Sequence, residues 1–348
     1  MPRNIKNSKL AILLHDSLLS SSGKTGVSLL RYSEAEIVAV IDRQYAGESL
    51  AELTKIKCDA PIVASVAEAI AYKPDAIAIG IAPSGGVLPP EMRAEITEAV
   101  RAGLSVVNGL HATLATDPEL EKLLRLGQWI SDLRQEPEGL SIASAKARSL
   151  SCRRLLTVGT DMAIGKMSTS LELNAAAKRR GIRSRFLGTG QAGIMISGDG
   201  IALDAVRVDF AAGAVERAVM ELGRDCDLLI VEGQGSLLHP GSTATLPLLR
   251  GTQPTHLILV HLAGSTAVRN HPSAVIGPLS SVVRLYETVA AACGAFETAK
   301  VAGIALNTHH LKEEEGREAI ALVAAETGLP CTDPVRFGSD LLLDAVMK

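Results

Sequence analysis

Aromatic side chains are scarce: four Phe, four Tyr and one Trp make up 3% of 348 residues, while apolar residues as a whole reach 47%. The core must therefore be Leu, Val, Ile and Ala, which suits buried parallel sheets under Ala-rich helices and excludes an aromatic-rich sandwich. Cysteine is also sparse. Cys58, Cys152, Cys226, Cys293 and Cys331 form no CxxC pair, so neither a zinc site nor a disulfide framework is expected, and a reducing compartment fits. No charge of one sign dominates. The formal net charge is −3 and no basic stripe is present, which argues against nucleic acid as a partner. Long hydrophobic runs are missing as well. The only apolar run near the start, Leu10 to Leu14, reads as a first strand and not as a signal peptide, so no membrane partner and a cytoplasmic location are expected.

What is present is an alternation of apolar strands with helical stretches. LAILLH from Leu10 to His15, EIVAVID from Glu36 to Asp42, PIVAS, DAIAIGIAPSGG and SVVNG read as strands separated by helices, the clearest from Pro90 to Ala102. Right-handed crossovers then imply a parallel, Rossmann-like sheet. The polar stretch from Asp117 to Ser149, with Leu120, Leu123 and Leu124 at helical spacing, reads as a helical connector. From residue 150 the pattern restarts with RLLTV, RSRFLGTGQ, DLLIVEGQGS, HLILVHLA and KVAGIALNTH as strands. The expected fold is α/β: two domains, 1–149 and 150–348, each a mainly parallel sheet flanked by helices.

A phosphate loop needs a strand, a glycine-containing turn, a lysine and a helix N-terminus in that order, so that backbone N–H groups and a mobile cation converge on an anion. Gly159-Thr160-Asp161-Met162-Ala163-Ile164-Gly165-Lys166 between strand RLLTV and the helix beginning near Ser168 meets that description. The spacing approaches GxxxxGK[ST] with two departures. Thr160 takes the first glycine position, and Met167 stands where a magnesium-binding hydroxyl belongs, with Ser168 just after it. Either Ser168 substitutes, or the loop holds phosphates that need no magnesium, as in coenzyme A and many other cofactors. The loop itself does not choose.

Ligands of open parallel sheets sit at the carboxyl ends of the strands. Candidates there are Gly190 and Gln191 in the turn GTGQAG, and Glu232 and Gln234 in EGQG after a fully apolar strand. Glu232 is a candidate metal ligand, general base or ammonium clamp. Asp204 and Asp209 flank a helix start, His261 ends a strand, and Asn307 lies where related folds place a base-recognition Asn. In the first half, Gly23-Lys24-Thr25 imitates a phosphate loop without its leading glycine. Asp42 ends a strand where dinucleotide folds hold a ribose, although no GxGxxG accompanies it.

Together these motifs resemble the D-glutamate N-acetyltransferase family, which has an N-terminal Rossmann-like and a C-terminal P-loop domain. The resemblance spans nearly the whole chain. It rests on GKTGVSLLRY, EIVAVIDRQYAG, IGIAPSGG and VVNGLHATL in the first half. In the second it rests on GTDMAIGKMSTSLEL, the block from LGTGQ to DAVRVDFAAGAVE, VEGQGSLLHPG and AGIALNT. It implies a P-loop nucleoside-triphosphate-hydrolase-like fold and acetyl transfer from acetyl-CoA to the amino group of D-glutamate or a similar D-amino acid. The loop from Gly159 to Ser168 would then bind coenzyme A phosphates, with Asn307 beside it. Lys166 would stabilise developing negative charge, and Glu232 would act as base, with Asp209 or His261 in reserve. Gly190, Gln191, Asp204, Gln234 and an Arg such as Arg207 or Arg269 would hold the amino acid. The loop and the VEGQG strand end are also similar to those of dethiobiotin synthetase, which keeps open an Mg-ATP-dependent kinase or ligase. A non-catalytic nucleotide or coenzyme sensor is the third alternative. A homo-oligomer is expected in every case.

Overall fold

The computed structural model describes residues 5–82 and 88–348. The glycine turn Ser84-Gly85-Gly86 lies outside the described residues. Packing separates two units, Met1–Gln135 with Gln191–Ala202, and Glu136–Gly190 with Leu203–Lys348.

The first unit is a sheet of β1 (Lys9–Leu13), β2 (Glu36–Ile41), β3 (Ile62–Val63), β4 (Ala76–Ile79), β5 (Ser105–Asn108) and β6 (Ile130–Asp132). Every pairing is parallel, in the order β3-β2-β1-β4-β5-β6. That is the doubly wound order, and its direction of growth reverses between β1 and β4. Helices α1 (Lys24–Tyr32), α2 (Leu50–Thr54), α3 (Val66–Ala69), α4 (Pro90–Ala102) and α5 (Pro118–Glu121) make the connections. The stretch after Asp117 is not a helical connector. Its helix stops after one turn, Gly127 takes φ +90°, and the chain then extends as β6 along β5. Asn108 fastens this edge by donating from Nδ2 to Asp132 Oδ1 at 2.7 Å.

The second unit is a sheet of β7 (Arg153–Gly159), β8 (Ser184–Leu187), β9 (Leu228–Val231), β10 (His256–Leu262), and, after the hairpin β11 (Ala267–Val268) and β12 (His271–Val275), β13 (Lys300–Asn307) and β14 (Cys331–Thr332). Its order is β14-β13-β10-β7-β9-β8, again wholly parallel. Helix α6 (Lys166–Arg179) follows β7, and α7 (Gln191–Ser197) packs with the first unit. Then come α8 (Val208–Leu222), α9 (Thr245–Thr252), α10 (Leu279–Ala291), α11 (Glu313–Thr327) and α12 (Asp340–Met347). The segment before residue 150 belongs here by packing, because Glu216 of α8 accepts from the backbone N–H groups of Ser144 and Lys146. Strand β7 is central, and Leu155, Leu156 and Val158 are at most 2% exposed. Each such side chain contributes about 1.5–3 kcal/mol by leaving water, which anchors the loop that β7 feeds. At the amino end of β7 the guanidinium of buried Arg154 donates to the carbonyls of Gln253, Leu150 and Cys152. Among the described residues no helix is long and apolar enough to cross a membrane.

Candidate functional site

Because all six strands of the second sheet run the same way, their carboxyl ends share one edge. The loop from Thr160 to Gly165 leaves β7 there, Glu232 follows β9, His261 lies at the end of β10, and Asn307 ends β13. Thr189 and Gly190 follow β8. Residues far apart in sequence are thus gathered by strand order alone.

The loop is a cradle of backbone donors. Ala163 and Gly165 take positive φ, +54° and +112°, the left-handed backbone from which anion-binding turns are built. The N–H groups of Ile164, Gly165, Lys166 and Met167 have no protein acceptor among the described residues. They lie at the start of α6, where the helix dipole favours an anion. Around them the loop is tied down at every corner. Tyr286 donates its hydroxyl to Gly159 O at 2.6 Å and accepts from Leu237 N at 3.1 Å. Thr160 Oγ1 meets His261 Nδ1 at 2.9 Å. Asp161 accepts from Met162 N at 2.6 Å and from Arg269 N at 2.7 Å. Asn307 donates from Nδ2 to Ile164 O at 2.9 Å.

Two ionisable groups lie buried at the foot of this cradle. Lys166 donates from Nζ to Asp161 O at 2.7 Å, and its stem runs beside Gly159 and Gly233. Loss of hydration lowers its pKa to about 8, against the attraction of Asp161 and Glu232. Glu232 is 3% exposed. Its Oε2 accepts from Thr189 N at 2.8 Å and Gly190 N at 3.2 Å, and its Oε1 from Gln234 Nε2 at 3.1 Å. Burial raises its pKa to about 7, outweighing those donors and the Lys166 charge. Burial thus brings the two groups toward neutrality from opposite sides.

The close approach of backbones explains Gly233. A Cβ there would lie 1.7 Å from Thr157 O, and Gly233 N donates to Thr157 Oγ1 at 2.9 Å. Thr157 Oγ1 in turn meets Ser170 Oγ of α6 at 3.0 Å, so β7, β9 and α6 are locked together beneath the pair.

The other candidates fall in several places. His261 is buried and its pKa is lowered by desolvation, so it is a neutral ring holding Thr160. Asn307 holds the loop carbonyl through its amide, and its Oδ1 accepts from His309 N. Gly190 and Gln234 adjoin Glu232. Gln191 begins α7 and packs with the first unit, its Nε2 3.4 Å from Thr25 Oγ1. Asp204 and Asp209 are exposed, and Asp209 is the second residue of α8, whose N-cap is Arg207. The guanidinium of Arg207 is bonded to Glu136 at 2.9 Å. Asp42 serves no ribose, because its oxygens accept from the backbone N–H groups of Asp16, Leu18 and Gln44. Tyr286, Thr157 and Thr189 carry no sequence signal of their roles; only the folded edge reveals them.

The donor set bears on which phosphate ligand fits. Met167 offers no hydroxyl, Asp161 and Glu232 already accept backbone hydrogen bonds, and no cluster of His, Cys, Asp and Glu suited to a metal ion occurs among the described residues. At the metal-ligand position of the loop this chain therefore carries a thioether in place of a hydroxyl, with Ser168 next to it.

Residues 141–343 match the family model described as the DUF1611_C P-loop domain, and residues 43–136 match the DUF1611_N Rossmann-like domain. Over 281 residues the chain is 37% identical to a D-glutamate N-acetyltransferase of Tritonibacter scottomollicae, covering 80% of this chain and 83% of that relative. A protein of the same name from Pseudoalteromonas sp is 36% identical over the same shares. A crystal structure of a DUF1611 family protein from Anabaena variabilis is 63% identical, with a TM-score of 0.95 over 98% of this chain and 99% of that one.

Proposed function

This chain belongs to the DUF1611 family, and from that premise we propose that it is an acyltransferase moving acetyl from acetyl-CoA to the amino group of a small amino acid, with D-glutamate as the first acceptor to test. The observation that carries the reading is the buried Lys166–Glu232 pair at the foot of an open backbone cradle. Acetyl-CoA supplies an activated acetyl group and a thiol leaving group. The loop N–H groups from Ile164 to Met167 hold its phosphates at the start of α6.

An amino acid arrives as an ammonium ion, so a proton must leave before nitrogen can attack. Glu232, with its pKa near 7, takes that proton at neutral pH. The new bond is nitrogen to acetyl carbon, the bond that breaks is carbon to sulfur, and the second proton shed by the acylated nitrogen balances the one that the departing thiolate takes up. Lys166, charged below about pH 8, offsets negative charge developing on the acetyl oxygen or on the departing sulfur. Gln234 orients Glu232 from the side opposite Thr189 and Gly190. The names of the relatives support the D-glutamate and acetyl-CoA assignments.

The test is thiol release from acetyl-CoA in the presence of a panel of D- and L-amino acids. D-Glutamate should give saturable release that is lost in Lys166→Ala. Release with no member of the panel, together with magnesium-dependent consumption of ATP, would replace this reading with a kinase or ligase. Ligand binding without any turnover would make the protein a sensor.

A further inference from the structure

The first unit has its own cavity, of about 180 Å³, lined by His15, Asp16, Arg43, Ile81, Glu91 and Met92 among others. It lies where β1, β2 and β4 end, at the point where the strand order reverses, which is where open parallel sheets receive ligands. None of these residues enters the chemistry described above.

The size limits the occupant. At about 180 Å³ the cavity has room for a small metabolite. Charge limits it further. Arg43 Nη2 lies 2.5 Å from Asp16 Oδ2 and 2.8 Å from Glu91 Oε2. One guanidinium against two carboxylates disfavours a phosphate dianion, and the guanidinium disfavours a simple cation. These ion pairs are open to solvent, with side chains 48%, 47% and 70% exposed for Arg43, Asp16 and Glu91. Such pairs contribute little to stability and are readily exchanged for a ligand's charges.

The backbone around them is fixed. Asp16 takes φ +55°, its peptide held by Asp42, and Arg43 N donates to buried His15 Nδ1 at 3.2 Å. Asp16 and Arg43 therefore project from tied strand ends and Glu91 from the start of α4, beside the apolar wall of Ile81 and Met92.

We propose that this cavity binds a free α-amino acid, its carboxylate on Arg43, its ammonium on Asp16 and Glu91, and its side chain against Ile81 and Met92. In the empty cavity the three charged groups satisfy one another; the zwitterion satisfies all of them at once. The site is independent of the phosphate loop and does not rest on the acetyl-transfer reading.

Calorimetric titration of the full chain with glycine, D- and L-alanine and D- and L-glutamate tests it. At least one should bind saturably, and Arg43→Gln should weaken that binding about tenfold or more, since a charge-assisted bidentate contact is lost. Glu91→Gln, on the exposed start of α4, should weaken it too, while Lys166→Ala should leave it unchanged. N-acetylated and carboxamide forms of the same amino acid should bind about tenfold worse or not at all. The proposal is overturned if no amino acid of the panel binds at millimolar concentration. It is equally overturned if both charge variants bind as wild type, if capped forms or inorganic phosphate bind equally well, or if the only binding seen depends on Lys166. Absence of acetyl transfer would leave these outcomes readable.

Discussion

Replacing Glu232 by Gln removes a titration while keeping the shape of the side chain. The amide oxygen can still accept from Thr189 N and Gly190 N, and Gln234 can turn its own amide to face the new N–H donor. In the unfolded chain this carboxyl ionises near 4.5; in the folded chain burial raises it to about 7. The folded state thus keeps its proton longer. Its contribution to stability is complete below pH 4.5 and is lost as pH rises toward 7. About 1.4 kcal/mol per pH unit over that window amounts to about 3 kcal/mol. Glu232→Gln has no such loss. Denaturation free energies of wild type and variant should converge in acid and separate in favour of the variant above pH 7. Part of the gain is returned, because Lys166 loses one of its two anionic neighbours. The same variant should lose about 10²–10⁴ in kcat/KM for thiol release. The rise of wild-type kcat/KM through pH 7 should also become flat. Urea denaturation across a pH series and the thiol assay measure the two arms. A variant no more stable than wild type at pH 8, with an unchanged pH–rate profile, would refute the reasoning: Glu232 would then ionise normally and some other group would be the base.

Lys166→Ala should reduce kcat/KM by about 10²–10³, as expected for loss of a cation facing developing charge. In wild type, activity should also decline as pH rises past about 8 and this lysine deprotonates, giving a narrow bell in the pH profile. Tyr286→Phe leaves Gly159 O and Leu237 N without their shared hydroxyl. It should cost about 1–3 kcal/mol by chemical denaturation, and it should raise KM for acetyl-CoA by loosening the loop. Gly233→Ala places a Cβ 1.7 Å from Thr157 O. It should destabilise by more than about 4 kcal/mol, seen as loss of soluble folded protein on expression.

The cradle was readable in the sequence because it is local. An apolar strand, a glycine turn, a lysine and a helix in immediate succession build it, and β7 and α6 bracket the loop from Thr160 to Gly165. Glu232 was readable for the same reason, as the first polar residue after the fully buried β9. Helix α4 kept its expected limits, with Pro90 at its start and Gly103 at φ +101° after its end. The reading from Leu120, Leu123 and Leu124 failed because helical spacing over a few residues competes with Gly127 and with an open sheet edge, and β5 captured the chain as β6. Asp42 shows the same limit: a strand-end carboxylate looks alike in sequence whether it faces a ribose or caps the backbone of a neighbouring loop.

By itself, then, the sequence determined that the chain is α/β and where the strand, glycine turn, lysine and helix of the second half follow one another, because these depend on neighbours in the chain. Tertiary structure alone decided that Tyr286 holds Gly159, that His261 holds Thr160, that Asn307 holds Ile164, and that Thr189 and Gly190 donate to Glu232. Those contacts follow from the strand order β14-β13-β10-β7-β9-β8. They join residues 42 to 143 positions apart, where no periodicity reaches. The near-neutral pKa values of Lys166 and Glu232 belong to the same class, since it is burial by distant segments that removes the water which would otherwise hold both groups at their ordinary values.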